Sequence, residues 1–168
     1  ADGNASLSDT LLNTLYLARL SNHINLFEYN DAVHTIEYIQ ENFGKLTDSL
    51  DLQMLQNDIK IWWALAGVPA QQVIKKNDCI IPIEKDKVGL INVDVAFGDS
   101  TRNLIFDTGA NFSFILKSLV EKLGLEYIDA DFYVTAATGL KVKSGIAIAD
   151  EISIGDILFK NVFFLVLD

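Results

Sequence analysis

Three consecutive apolar residues, Leu104-Ile105-Phe106, run directly into Asp107-Thr108-Gly109-Ala110. They read as a buried strand that ends on a carboxylate. An ionised carboxylate is costly to bury unless a proton, an opposite charge or a set of donors compensates it. Two readings of Asp107 follow: it opens an ordinary turn, or the strand exists to present it.

The other side chains offer little competing chemistry. The two histidines, His23 and His34, lie in a helical region without a Glu-x-x-His or cysteine partner, so no metal site is expected from them. No nucleophile elbow supports a Ser-His-Asp or Cys-His arrangement. Gly109 alone does not make a phosphate-binding loop. Cys79 is the single cysteine and reads as a small buried hydrophobe. Asn4-Ala5-Ser6 and Asn111-Phe112-Ser113 match the glycosylation pattern, which we take as chance.

Composition narrows the partners. Of 168 residues, 50% are hydrophobic, enough for a sizeable core. The formal net charge is −10 and no basic patch is present, which argues against nucleic acid and anionic membrane surfaces. The apolar runs are strand-sized, far short of a membrane span. Residues 1–5 read as a frayed terminus or a processing scar, and the second reading leans toward a periplasmic or secreted bacterial setting without fixing the compartment.

The elements that must position Asp107 can be read from periodicity. Helical spacing starts near Ser6 or Ser8, with Leu7, Leu11, Leu12, Leu15 and Ala18 on one face. Further helices are expected over 29–43, closed by Gly44, and over 49–66, closed by Gly67. The latter carries Leu50, Met54, Leu55, Ile59, Trp62 and Trp63. Pro69 would open one more short helix through Val73 and Ile74. Residues 1–76 thus read as an α-helical unit, with Tyr29-x-x-Ala32 giving at most a faint likeness to a tetratricopeptide repeat. From residue 77 the period becomes 2. Strands are expected over 80–83, 88–97 and 103–106, with Gly98-Asp99-Ser100 turning the chain. A short helix from Leu116 ends at Gly124, and hairpins follow over 132–149 and 151–167.

The order of these parts carries a family likeness. Leu104-Ile105-Phe106-Asp107-Thr108-Gly109-Ala110 is followed by Asn111-Phe112-Ser113-Phe114-Ile115 and a helix. Then come a flap-sized hairpin with Thr138-Gly139 at its tip and Ile154-Gly155-Asp156-Ile157. This succession, over about residues 80–168, resembles the retropepsin-like aspartic proteases, in particular bacterial single-lobe members. The resemblance implies an α+β chain: a helical unit over 1–76, then a mostly antiparallel retropepsin-like β-barrel over 77–168. It implies aspartic endopeptidase activity on a peptide or protein substrate, with neither metal nor organic cofactor. Asp107 would be the catalytic carboxylate. The Thr108 hydroxyl would brace the turn against its symmetry-related copy. Gly109 and Ala110 would complete the turn, Gly109 leaving room for water and substrate. The hairpin with Thr138 and Gly139 would close as a flap.

That chemistry needs two neighbouring carboxylates sharing one proton. One Asp-Thr-Gly is present, so the second aspartate is expected from a symmetry-related subunit of a homodimer or from a missing segment. The family's later apolar-apolar-Gly segment is not found, so the barrel domain is expected to be incomplete at its C-terminus. If Asp107 faced solvent alone, or were capped by its own chain, this form by itself would not be the enzyme. The alternatives are a non-catalytic interaction module acting through its helices, on a degenerate protease-like scaffold, and a helical unit that serves as a pro-segment.

Overall fold

A computed structural model describes residues 7–135 and 139–167. The chain divides into two compact units, Ala1–Ala70 and Gln71–Asp168. Among the described residues the first holds three helices: α1 (Asp9–Asn25), α2 (Tyr29–Phe43) and α3 (Ser49–Leu65). Ser8 caps α1 by accepting a hydrogen bond from the Leu11 N–H, and Asp48 caps α3 through Leu50. Helix α2 is the centre of the unit. Its Ala32, Ile36 and Ile39 are fully buried, and Tyr29 stacks on Trp62 of α3 at 6.1 Å.

The α1 face expected in the core is not the one that packs. Leu7, Leu11, Leu15 and Ala18 are exposed. The line Leu12, Tyr16 and Leu20 turns inward instead, with Tyr16 stacked on Tyr38 of α2 at 4.4 Å and against Phe43 at 5.7 Å. An aromatic that can stack covers more area than a leucine on the neighbouring face. In α3 the buried set is Ile59, Ile61, Trp62 and Leu65, while Leu50, Met54 and Trp63 are exposed.

Among the described residues the second unit is an eight-stranded open sheet with one helix. Its elements are β1 (Gln72–Lys75), β2 (Glu84–Lys85), β3 (Ile91–Phe97), β4 (Ser100–Ile105), β5 (Phe114–Leu116), α4 (Lys117–Leu123), β6 (Glu126–Thr135), β7 (Lys141–Ile154) and β8 (Ile157–Leu167). The order β1-β8-β7-β3-β2 leaves two ends, so the sheet does not close. Strand β4 joins β3, β6 joins β7, and β5 joins β8. All pairings are antiparallel except β5 with β8. One face of the sheet, with Val93, Val95, Val162, Phe164 and Val166, packs on Val120 of α4.

Two local expectations are corrected. Val73 and Ile74 do not continue a helix; they lie in β1, paired with Phe159 and Leu158 of β8. β-branched residues favour the pleated strand once a partner edge is offered. Residues 80–83 are not a strand either. Ile80 is 94% exposed, and pairing begins only at Glu84, opposite Asn92. Pro82 lacks the donor that a ladder requires.

Candidate active site

Asp107 is delivered by the β3–β4 hairpin. Gly98, at φ 56°, turns the chain, and the register pairs Phe97 with Ser100 and Asn92 with Ile105. The Phe106 N–H donates to the Ile91 carbonyl at 2.8 Å, which carries the hairpin one residue past the strand. The chain then turns through Asp107-Thr108-Gly109-Ala110. The Gly109 N–H donates to Asp107 Oδ1 at 2.8 Å, and the Ala110 N–H reaches the Asp107 carbonyl at 3.4 Å.

The strand that presents Asp107 is not buried as its composition suggests. Among the described residues β4 pairs only with β3, which leaves its other edge open. Ile105 is 58% and Phe106 49% exposed, and Asp107, Thr108, Gly109 and Ala110 are all exposed. In one copy of the chain the carboxylate therefore pays no burial cost. It faces solvent and is capped by its own Gly109 N–H. Among the described residues it makes no ion pair.

The structure brings Asp107, Thr108, Gly109 and Ala110 into one turn. Of the expected flap tip, Thr138 lies outside the described residues. Gly139 is described, with φ 80°, just before β7. No hydrogen bond, ion pair or ring contact among the described residues joins Gly139 to the Asp107 turn. The hairpin arms are β6 and β7, paired from Phe132↔Ser144 to Thr135↔Lys141. The pairing breaks between Ile128 and Phe132, where Asp129-Ala130-Asp131 bulges opposite Gly145 and Asp131 takes φ 49°. Lys143 spans this bulge, 3.1 Å from Asp131 and 3.5 Å from Asp129. The hydrogen bond to Asp131 and the charge of Asp129 raise the Lys143 pKa.

Two features were not anticipated from sequence. The short strand β5 follows the Asp107 turn and pairs in parallel with β8, Phe114 opposite Leu165 and Leu116 opposite Leu167. Its alternation of exposed Phe114, buried Ile115 and exposed Leu116 is the signal that could have found it. A hollow of about 150 Å³ lies beside Lys117, Tyr127, Ser144 and Gly145, apart from the Asp107 turn.

The helical unit gathers His23, Glu28 and Asp31, whose ligand atoms lie within 4.8 Å of one another. Arg19 Nε donates to His23 Nε2 at 3.0 Å, which assigns the proton to Nδ1, and Nδ1 meets Glu28 Oε2 at 2.6 Å. Both ring nitrogens are thus engaged, and the cluster reads as a link between the end of α1 and the start of α2.

Comparison with known proteins bears on the second unit. No curated protein matches the chain, and no solved structure does. The profile of the aspartyl protease family matches residues 93–168, which run from within β3 through the Asp-Thr-Gly turn and α4 to β8. Over residues 93–168 the chain is thus similar to the aspartyl protease family.

Proposed function

We propose that the chain is an aspartic endopeptidase subunit in which Asp107 supplies one of two catalytic carboxylates, the second coming from a symmetry-related copy. The observation that carries this reading is Asp107 just past the end of β4, in an Asp-Thr-Gly turn within the family match. Its exposure, with half-exposed Phe106 and Ile105 before it and Phe114 and Leu116 after it, supports assembly with a second copy. A C2 axis supplies an identical turn with no new sequence.

Two carboxylates brought together cannot both ionise and share one proton. The ionised one takes a proton from a water as its oxygen bonds to the scissile carbonyl carbon. The protonated one donates to the carbonyl oxygen. Collapse of the tetrahedral centre breaks the C–N bond, and the nitrogen leaves with a proton returned by a carboxyl group. Thr108 would brace the paired turns, and the β6–β7 hairpin would cover the peptide and exclude water.

The competing reading, Asp107 as a plain turn former in a non-catalytic module, draws on the Gly109 N–H bond, which is an ordinary turn contact. Asp107→Asn separates the two. The amide keeps an oxygen acceptor for Gly109, so folding is retained. Cleavage of an unfolded protein at mildly acidic pH is expected to be abolished. Cleavage at the wild-type rate would sink the assignment.

A further inference from the structure

The catalytic turn is fastened at both ends and seated between them on an aromatic contact. Upstream, the Phe106 N–H bonds to Ile91 of β3. Downstream, the Leu165 N–H of β8 donates to the Ser113 carbonyl at 2.9 Å. Within residues 107–113 every residue is exposed except Phe112. The Phe112 ring lies against Phe163 of β8, centroids 6.3 Å apart and planes inclined by 56°. Phe163 in turn stands on a fixed base. It pairs with Ile148 of β7, and its neighbours Val162 and Phe164 are buried in the core.

We propose that Phe163 is a positioning residue for Asp107: through Phe112 it sets the angle at which the turn presents its carboxylate. This rests on the protease reading above and adds a part that the Asp-Thr-Gly motif does not contain. The ends of the turn are held by backbone bonds, which survive substitution of side chains. The Phe112 ring on Phe163 opposes rotation of residues 107–112 about those two ends. An aromatic pair resists such rotation because its contact area falls as either ring tilts away. A displacement of about 1 Å at a catalytic group lowers a rate by up to about a hundredfold, without loss of fold.

The test compares Phe163→Ala, Phe163→Leu and Phe163→Tyr in the full chain. The first readout is the ¹H–¹⁵N resonance of Gly109, whose N–H bonds to Asp107 Oδ1. It is expected to shift in Phe163→Ala, to stay at the wild-type position in Phe163→Tyr, and to lie between in Phe163→Leu. The Val93 and Val95 resonances of β3 should be unchanged and report an intact fold. In the cleavage assay, Phe163→Ala should lower kcat about ten- to a hundredfold with KM near wild type, and Phe163→Tyr should restore it. An unmoved Gly109 resonance in folded Phe163→Ala overturns the proposal, as does a change in KM with kcat intact. If Asp107→Asn cleaves normally, the protease reading falls, and the Gly109 resonance still decides whether Phe163 sets the turn.

Discussion

Gly145 is the position where one added carbon has the most definite consequence. It lies opposite the β6 bulge, and the Tyr127 ring covers it. A Cβ built there would stand 2.5 Å from Tyr127 Oη and 2.7 Å from Cε2 and Cζ. Ordinary contact needs well over 3 Å, so in Gly145→Ala the ring must leave. Tyr127 is 42% exposed, so more than half of its surface is covered now. A tyrosine buries roughly 150–250 Å² when enclosed, and returning about 100 Å² to water costs about 2.5 kcal/mol. Lys117, 5.6 Å from the ring centroid, loses a cation–π contact worth about 0.5 kcal/mol. Alanine in a strand recovers roughly 0.5–1 kcal/mol relative to glycine. We expect Gly145→Ala to destabilise the sheet unit by about 2 kcal/mol. In a Tyr127→Ala background the obstruction is gone, and the same substitution should stabilise by roughly 0.5–1 kcal/mol. Both tryptophans, Trp62 and Trp63, lie in α3, so fluorescence does not report on the sheet. Urea unfolding followed through the methyl resonances of Ile146 and Ala147 does. Equal costs of Gly145→Ala in the two backgrounds would refute the steric argument.

Other expectations concern both units. Burial raises the Asp58 pKa, partly opposed by its hydrogen bond from Asn57. A carboxyl raised on folding stabilises fully below its unfolded pKa, and that contribution is lost as pH rises through the folded value. Asp58→Asn should therefore raise the melting temperature of the helical unit at pH 7, read by tryptophan fluorescence, and the gain should vanish at low pH. Gly109→Ala puts a Cβ 3.3 Å from Asp107 Oδ1, within reach of a small carboxylate shift. It should melt within about 0.5 kcal/mol of wild type yet lower kcat about tenfold, measured by thermal denaturation and peptide cleavage.

Period and punctuation made much of the architecture legible. Helix α2 lies over the residues that the spacing of Ala32, Ile36, Ile39 and Phe43 indicates, because that stripe is the one the unit buries. Gly124 ends α4 in the left-handed conformation that a side chain disfavours. The Asp107 turn was legible as a motif, since Phe106-Asp107-Thr108-Gly109 joins a strand to a glycine turn. Its exposure was not, because apolar composition does not reveal that β4 has a single neighbour. The inward face of α1 was misread for a related reason: leucines mark a stripe, but Tyr38 and Phe43 of another helix select Tyr16. Strand β1 escaped because its partner, β8, lies at the far end of the unit in sequence.

The parallel pairing of β5 with β8 also has a consequence for how the site comes into being. Phe114 meets Leu165 across half the length of the sheet unit, and Ser113 receives its bond from that same residue. Local hairpins such as β3–β4 can close early, whereas contacts this distant in sequence must wait for loop closure. During synthesis the Asp-Thr-Gly turn leaves the ribosome well before the strand that frames it. The carboxylate should therefore acquire a fixed orientation only in the last steps of folding. A nascent or half-folded chain would then carry Asp107 with no fixed orientation, so the timing of its placement is written into the strand order itself.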